Sequence, residues 1–199
     1  MQRRKFIQNS ALTAAVLAFY KGDAFANPLR AYQFKELRNG VGVFLEQGGT
    51  IAWLNSVNGY VAVDSQFPAS AAHVIEELKK LGDKPFKYLL NTHHHGDHTG
   101  GNIAFKGLAE HVVAHENSLV NQKLAAEKSN NLAQQLLPDV TFGKGWKAPV
   151  GKEKISAYYY GSGHTNGDVV YHFENANVVH VGDLVFNRRF PYIDQANGA

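Results

Sequence analysis

Four histidines and an aspartate crowd into six consecutive positions, His93-His94-His95-Gly96-Asp97-His98, inside the segment Asn91 to Asn102. Such a set is suited to holding metal ions. Imidazole is a good ligand for zinc, copper and iron, and a carboxylate adds charge and a hard oxygen. The chain has no cysteine, so the thiolate sites typical of structural zinc are excluded and a catalytic centre is favoured. In extended backbone, residues two apart point the same way, so His93 and His95 can close on one ion while His94 faces elsewhere. Gly96 then permits a sharp turn that swings Asp97 and His98 towards a second position. Thr99 is placed to cap the helix entered through Gly100, Gly101 and Asn102. The competing reading is a histidine-rich surface loop that binds metal adventitiously, and the strand-then-helix context of the motif argues against it.

With 199 residues, 44% of them hydrophobic and 12% aromatic, the chain has the size and composition of one globular domain with a real core. Residues 1–26 read as an export signal: a basic start with paired Arg3 and Arg4, a short apolar run from Ala11 to Tyr20, and a small-x-small cleavage site at Ala24-Phe25-Ala26. The Arg-Arg-x-Phe-Ile pattern resembles a twin-arginine signal, with an ordinary secretory signal as the alternative. Either route delivers the protein to the periplasm or beyond. The leader holds Arg3, Arg4, Lys5 and Lys21 against Asp23, which accounts for the whole formal charge of +3. The remaining domain, residues 27–199, is therefore close to neutral, which disfavours a nucleic-acid surface. No later segment approaches the ~20 apolar residues needed to span a bilayer.

Alternating strands are expected at Tyr32–Leu37, Val41–Glu46, Ile51–Val57 and Tyr60–Val63, joined by the turn signals Asn39-Gly40, Gly48-Gly49 and Asn58-Gly59. Phe67-Pro68 opens a helix with Ala71, Val74, Ile75, Leu78 and Leu81 on one face and Gly82 at its end. A buried strand follows at Phe86–Leu90, so the histidine cluster sits just past a strand's carboxyl end, where α/β sheets place their chemistry. A second unit has strands at His111–Ala114, near Ile155–Tyr160, at Val169–Phe173 and at Val178–Val181, with a helical pattern over Glu116–Leu137.

Two distant residues complete the pattern. His164 lies in the small-residue loop Gly161 to Asp168, and Asp183 ends a strand in Val178-Val179-His180-Val181-Gly182-Asp183. His-x-His-x-Asp-His, a downstream Gly-His and a strand ending in Gly-Asp together resemble the metallo-β-lactamase superfamily, over nearly all of residues 27–199. The resemblance implies an αββα sandwich with one or two zinc ions at the edge between its sheets, iron being the alternative. It further implies that His93, His95 and His164 bind the first ion, that Asp97 and His98 bind the second, and that Asp183 bridges them. A further histidine normally completes the second site. None follows His180, so the chain is expected to be a C-terminally incomplete form of the fold.

The function implied is an exported zinc hydrolase in which a metal-bound hydroxide, oriented by Asp97, attacks the carbonyl of a small ester, thioester, lactone or amide. A β-lactam is disfavoured, because zinc β-lactamases typically carry Cys or Ser where this chain has Asp183. The alternative is a periplasmic zinc-binding or partner-binding protein with an incomplete second metal site. Asp64 reads equally well as a turn former and as a hydrogen-bond acceptor for a liganding imidazole. His115 is expected to cap or line a pocket rather than bind metal. His73, His111, His172 and His180 are expected to be structural or exposed. Arg188 and Arg189, with Phe186, Phe190 and Tyr192, read equally as a pocket for an anionic group and as a solvated basic turn.

Overall fold

The computed structural model describes residues 32–199, so the leader expected over residues 1–26 lies outside the described residues. Strands β1 (Gln33–Arg38), β2 (Val41–Leu45), β3 (Ile51–Ser56) and β4 (Gly59–Val63) form an antiparallel meander. Its first turn is made by Asn39 and Gly40, both at positive φ (51° and 76°), the backbone that a tight hairpin requires. Helix α1 (Pro68–Lys80) then carries the chain to β5 (Phe86–Leu90), which pairs parallel to β4. The short helix α2 (Gly96–Thr99), β6 (Ala109–His115), helix α3 (Glu116–Lys128) and β7 (Val140–Phe142) complete a seven-stranded sheet in the order β1 to β7. A second, antiparallel sheet has the order β11-β10-β9-β8, from β8 (Gly145–Val150), β9 (Glu153–Tyr158), β10 (Val170–Phe173) and β11 (Val178–His180).

The two-residue period of the strands divides the core into two layers. Ala52, Leu54, Val61, Val63, Leu90 and Val113 point from the large sheet towards Ile155, Ala157, Tyr171 and Phe173 of the small one. Their neighbours Ile51, Trp53, Tyr60, Ala62, Leu89 and Val112 pack instead with Ala71, Val74, Ile75 and Leu78 of α1. This is the expected α/β sandwich. Among the described residues no helix covers the outer face of the small sheet, where Val179 is 58% exposed.

Two expectations needed correction. The helix read over Glu116–Leu137 stops at Lys128, where Asn130 adopts positive φ (52°) and only a turn of 3-10 helix at Leu132–Gln134 follows. Strands β7 and β8 were not anticipated. β8 contains Pro149, a residue a sheet accepts only at its edge, and β8 is the edge strand of its sheet.

Phe173 is fully buried between the sheets. Phe173→Ala is expected to cost about 3–5 kcal/mol in urea denaturation, whereas Val57→Ala, at a side chain 78% exposed, should change stability by less than about 0.5 kcal/mol.

Candidate metal centre

Parallel pairing of β4 with β5 places Asp64, just past β4, beside Asn91-Thr92-His93, just past β5. The backbone of Asp64 turns at positive φ (65°), and its amide donates to the Leu90 carbonyl at 2.7 Å. The histidine turn continues into α2, which lifts His98 back over Asp64. Thr99 does not cap by its side chain as expected. Its hydroxyl donates backwards to the carbonyls of His94 (3.2 Å) and His95 (3.1 Å), bracing the turn. His164 comes from the loop between β9 and β10, and Asp183 from a 3-10 turn directly after β11.

These residues meet in two overlapping groups. His95 Nδ1 lies 3.1 Å from His93 Nε2 and 2.9 Å from His164 Nε2, and the ligand atoms of this trio all fall within 4.8 Å of one another. His93, His98 and Asp183 make a second trio by the same measure. The Asp183 carboxylate spans both, with one oxygen 3.2 Å from His98 Nε2 and the other 3.6 Å from His164 Nε2. Asp97 is the loosest of the six residues. Its side chain is 43% exposed, and Oδ2 stands 3.7 Å from His98 Nε2. His94 belongs to neither trio, in keeping with the alternation expected of the turn.

The outward nitrogen of every imidazole in these groups has a partner. His98 Nδ1 faces Asp64 Oδ2 at 2.8 Å, and His93 Nδ1 faces the Thr92 hydroxyl at 3.0 Å, which itself donates to Asp64 Oδ2 at 2.8 Å. Asp64 Oδ1 accepts from the Thr92 amide at 2.8 Å. His164 Nδ1 faces the Tyr192 carbonyl at 2.7 Å, and His95 Nε2 faces Asp194 Oδ2 at 2.8 Å. An acceptor on the outer nitrogen fixes the proton there and leaves the inner nitrogen as a lone pair. Lone pairs converging at about 3 Å repel unless a proton or cation lies between them. His98 Nε2 is moreover buried without a hydrogen bond of its own. The donor set is all nitrogen and oxygen, which fits a divalent transition ion.

Electrostatics agree with a cation-seeking site. Burial and the surrounding imidazoles of His98, His95, His164 and His94 push His93 far below the usual histidine range. Burial acts the same way on His98, but the carboxylates of Asp64 and Asp183 outweigh it and lift the group to about 10. Burial would raise Asp183, yet its contacts with His98 and His164 hold it below the ordinary carboxylate range.

Asp64 was the chief omission from the site read in the sequence. A carboxylate at a strand end is too common to mark a function by itself. Asp194 carried no sequence signal. His115 does cap α3, accepting from the Asn117 amide at 3.1 Å, and His180 is a buried structural residue that donates to the Thr50 carbonyl at 2.8 Å. Phe186 and Tyr192 flank His164, with ring centroids 5.9 and 5.7 Å away, whereas Phe190 is 98% exposed.

The chain belongs to the metallo-beta-lactamase superfamily, whose family model matches residues 51–198. It is 30% identical over 124 residues to a hydroxyacylglutathione hydrolase of Gloeobacter violaceus, covering 60% of this chain and 42% of the relative. It is 33% identical over 123 residues to the enzyme of the same name from Pelagibacter ubique, covering 60% and 44%. A 2,4-dinitroanisole O-demethylase subunit alpha of Nocardioides is 29% identical over 131 residues, covering 64% and 38%. The chain therefore spans less than half the length of these curated relatives. Among solved structures, a metallo-beta-lactamase from Pontibacter korlensis superposes with a TM-score of 0.69 at 23% identity, covering 80% of this chain and 74% of that one. The metallo-beta-lactamase IND-7 gives 0.65 at 19% identity, with 80% and 74% covered. At such identities the structures establish the fold.

The hairpin at Gly48-Gly49 lies across this centre. The Gly49 amide donates to the Asp97 carbonyl at 3.1 Å, and a Cβ on Gly49 would fall 2.2 Å from His98 Cε1. Gly49→Ala is expected to cost about 1–3 kcal/mol and to displace the His98 ring, seen as a lower melting temperature together with shifted His98 ring resonances in NMR.

Proposed function

We propose that the chain carries the active site of a zinc-dependent hydrolase that attacks the carbonyl carbon of a small ester, thioester, lactone or amide and cleaves its acyl–oxygen, acyl–sulfur or acyl–nitrogen bond. The observation that carries this reading is the convergence of four inward imidazole nitrogens on one small volume, with the Asp183 carboxylate spanning their two groups. His93, His95 and His164 would hold one ion, and His98, Asp97 and Asp183 a second, with Asp183 shared. Among the relatives, the hydroxyacylglutathione hydrolases act by name on a hydroxyacylglutathione, which supports testing acyl thioesters first. Asp183 stands where zinc β-lactamases typically carry Cys or Ser, which argues against a dedicated β-lactamase.

When bound, a divalent ion supplies Lewis acidity and makes water a competent nucleophile near neutral pH. The remaining work falls to the chain's own side chains. Asp64, Thr92, Tyr192 and Asp194 hold the outer nitrogens of the four imidazoles, so that the inner nitrogens are aimed at one shared volume. Asp97, half-exposed beside His98, can accept a proton from the attacking water and deliver it to the leaving group. No side-chain nucleophile is required. Export to the periplasm is proposed on residues 1–26 alone, and fractionation of cells producing the full chain tests it.

The purified full-length chain should hydrolyse an S-acylglutathione faster than an ester, lactone, amide or β-lactam in a common panel. Chelation should abolish the activity and zinc restore it. Asp97→Asn should lower kcat by about 10²–10⁴-fold and weaken binding of the second zinc ion while the first is retained. Hydrolysis indifferent to chelation overturns the reading. Stoichiometric zinc without hydrolysis of any panel member favours a zinc-binding protein, and iron at two per chain overturns the zinc assignment.

A further inference from the structure

The three imidazoles of the first trio are not equally held by packing. His93 and His164 are buried, whereas the His95 side chain is 23% exposed. What constrains the His95 ring from outside is a single short stretch of chain. Tyr192 receives His164 Nδ1 on its carbonyl at 2.7 Å, the Asp194 amide donates to the His164 carbonyl at 2.9 Å, and Asp194 Oδ2 receives His95 Nε2 at 2.8 Å. One segment thus grips two of the three imidazoles.

The grip is itself braced. Asp194 is 5% exposed, Asn197 Nδ2 donates to the same Oδ2 at 2.5 Å, and the amides of Asn197 (3.1 Å) and Ala199 (3.2 Å) donate to the Asp194 carbonyl. A carboxylate held this firmly determines which ring nitrogen of His95 carries the proton. With the proton on Nε2, the Nδ1 lone pair faces His93 and His164. With the proton on Nδ1, a hydrogen would point into their Nε2 atoms and the trio could not chelate. By distance alone His94, His95 and Asp194 could also hold a cation, but a neutral imidazole has one lone pair, and His95 cannot offer it in both directions.

We propose that Asp194 is a positioning residue whose carboxylate fixes the tautomer and orientation of His95, so that Nδ1 is presented as a metal ligand. The proposal rests on the reading of His93, His95 and His164 as a metal-binding group. It extends the functional centre to a residue 99 positions from the ring it orients.

The test uses the full chain as wild type, Asp194→Ala, Asp194→Asn and Asn197→Ala. Long-range ¹H–¹⁵N NMR on the metal-free proteins reads the His95 tautomer, and competition with a chromophoric chelator reads zinc affinity. Wild type should show His95 protonated on Nε2. Asp194→Ala should show mixed tautomers and bind zinc about 10–100-fold more weakly, and Asp194→Asn, which keeps an acceptor, should fall between the two. Asn197→Ala loosens the segment while leaving the carboxylate, and should retain the wild-type tautomer. Asp194→Ala with wild-type tautomer and affinity overturns the proposal alone. So does Asn197→Ala losing as much as Asp194→Ala, because the segment's order would then be the cause. A wild-type chain that takes up no zinc overturns the metal reading and the proposal with it.

Discussion

The centre is organised around the Asp64 carboxylate, which is fully buried and yet accepts three hydrogen bonds, from the Thr92 amide, the Thr92 hydroxyl and His98 Nδ1. A buried carboxylate without such partners would be prohibitively costly. Here it fixes His98 directly and His93 through Thr92, so one charge sets the proton positions on two imidazoles that face the same volume. The neighbouring ends of β4 and β5 make this possible, because parallel pairing brings Asp64 to the level of Thr92 without a long connecting loop.

The fold contributes position more than chemistry. Two hydrophobic layers, one between the sheets and one beneath α1, hold the strand ends rigidly, and the loops leaving those ends supply every residue of the two trios. This division between a packed scaffold and functional loops is the usual economy of α/β proteins. The outward hydrogen bonds then convert position into coordination geometry. Four rings whose inner lone pairs would repel one another are held facing inward, a configuration that a bound cation would stabilise.

Much of this was legible in the sequence. Strand and helix boundaries from β2 to β5 follow from alternation and from Pro68, within a residue or so. The structure draws His93, His95, His98, His164 and Asp183 together, and Asp97 stands at their edge. Interactions with no local signature were left open, as for the acceptor role of Asp64, or had no sequence signal at all, as for Asp194. Asp64 and Thr92 are 28 residues apart, and Asp194 meets His95 across 99. Neither carboxylate lies in a pattern that distinguishes it from a turn residue. The overextended helix had a different cause: Leu132, Leu136 and Leu137 prolong the apparent periodicity past Lys128, although the chain leaves the helix there and Asn130 turns at positive φ. The edge strand β8 was hidden by Pro149, which excludes a central strand but not a peripheral one.

The account stands on the claim that the inner nitrogens of His93, His95, His98 and His164 share a bound ion or pair of ions. X-ray absorption spectroscopy of the zinc-loaded full chain tests it most directly. It should show four- to five-coordinate zinc with nitrogen and oxygen ligands near about 2.0–2.2 Å and the multiple-scattering signature of at least two imidazoles per ion. A spectrum of hydrated zinc lacking imidazole scattering would contradict it.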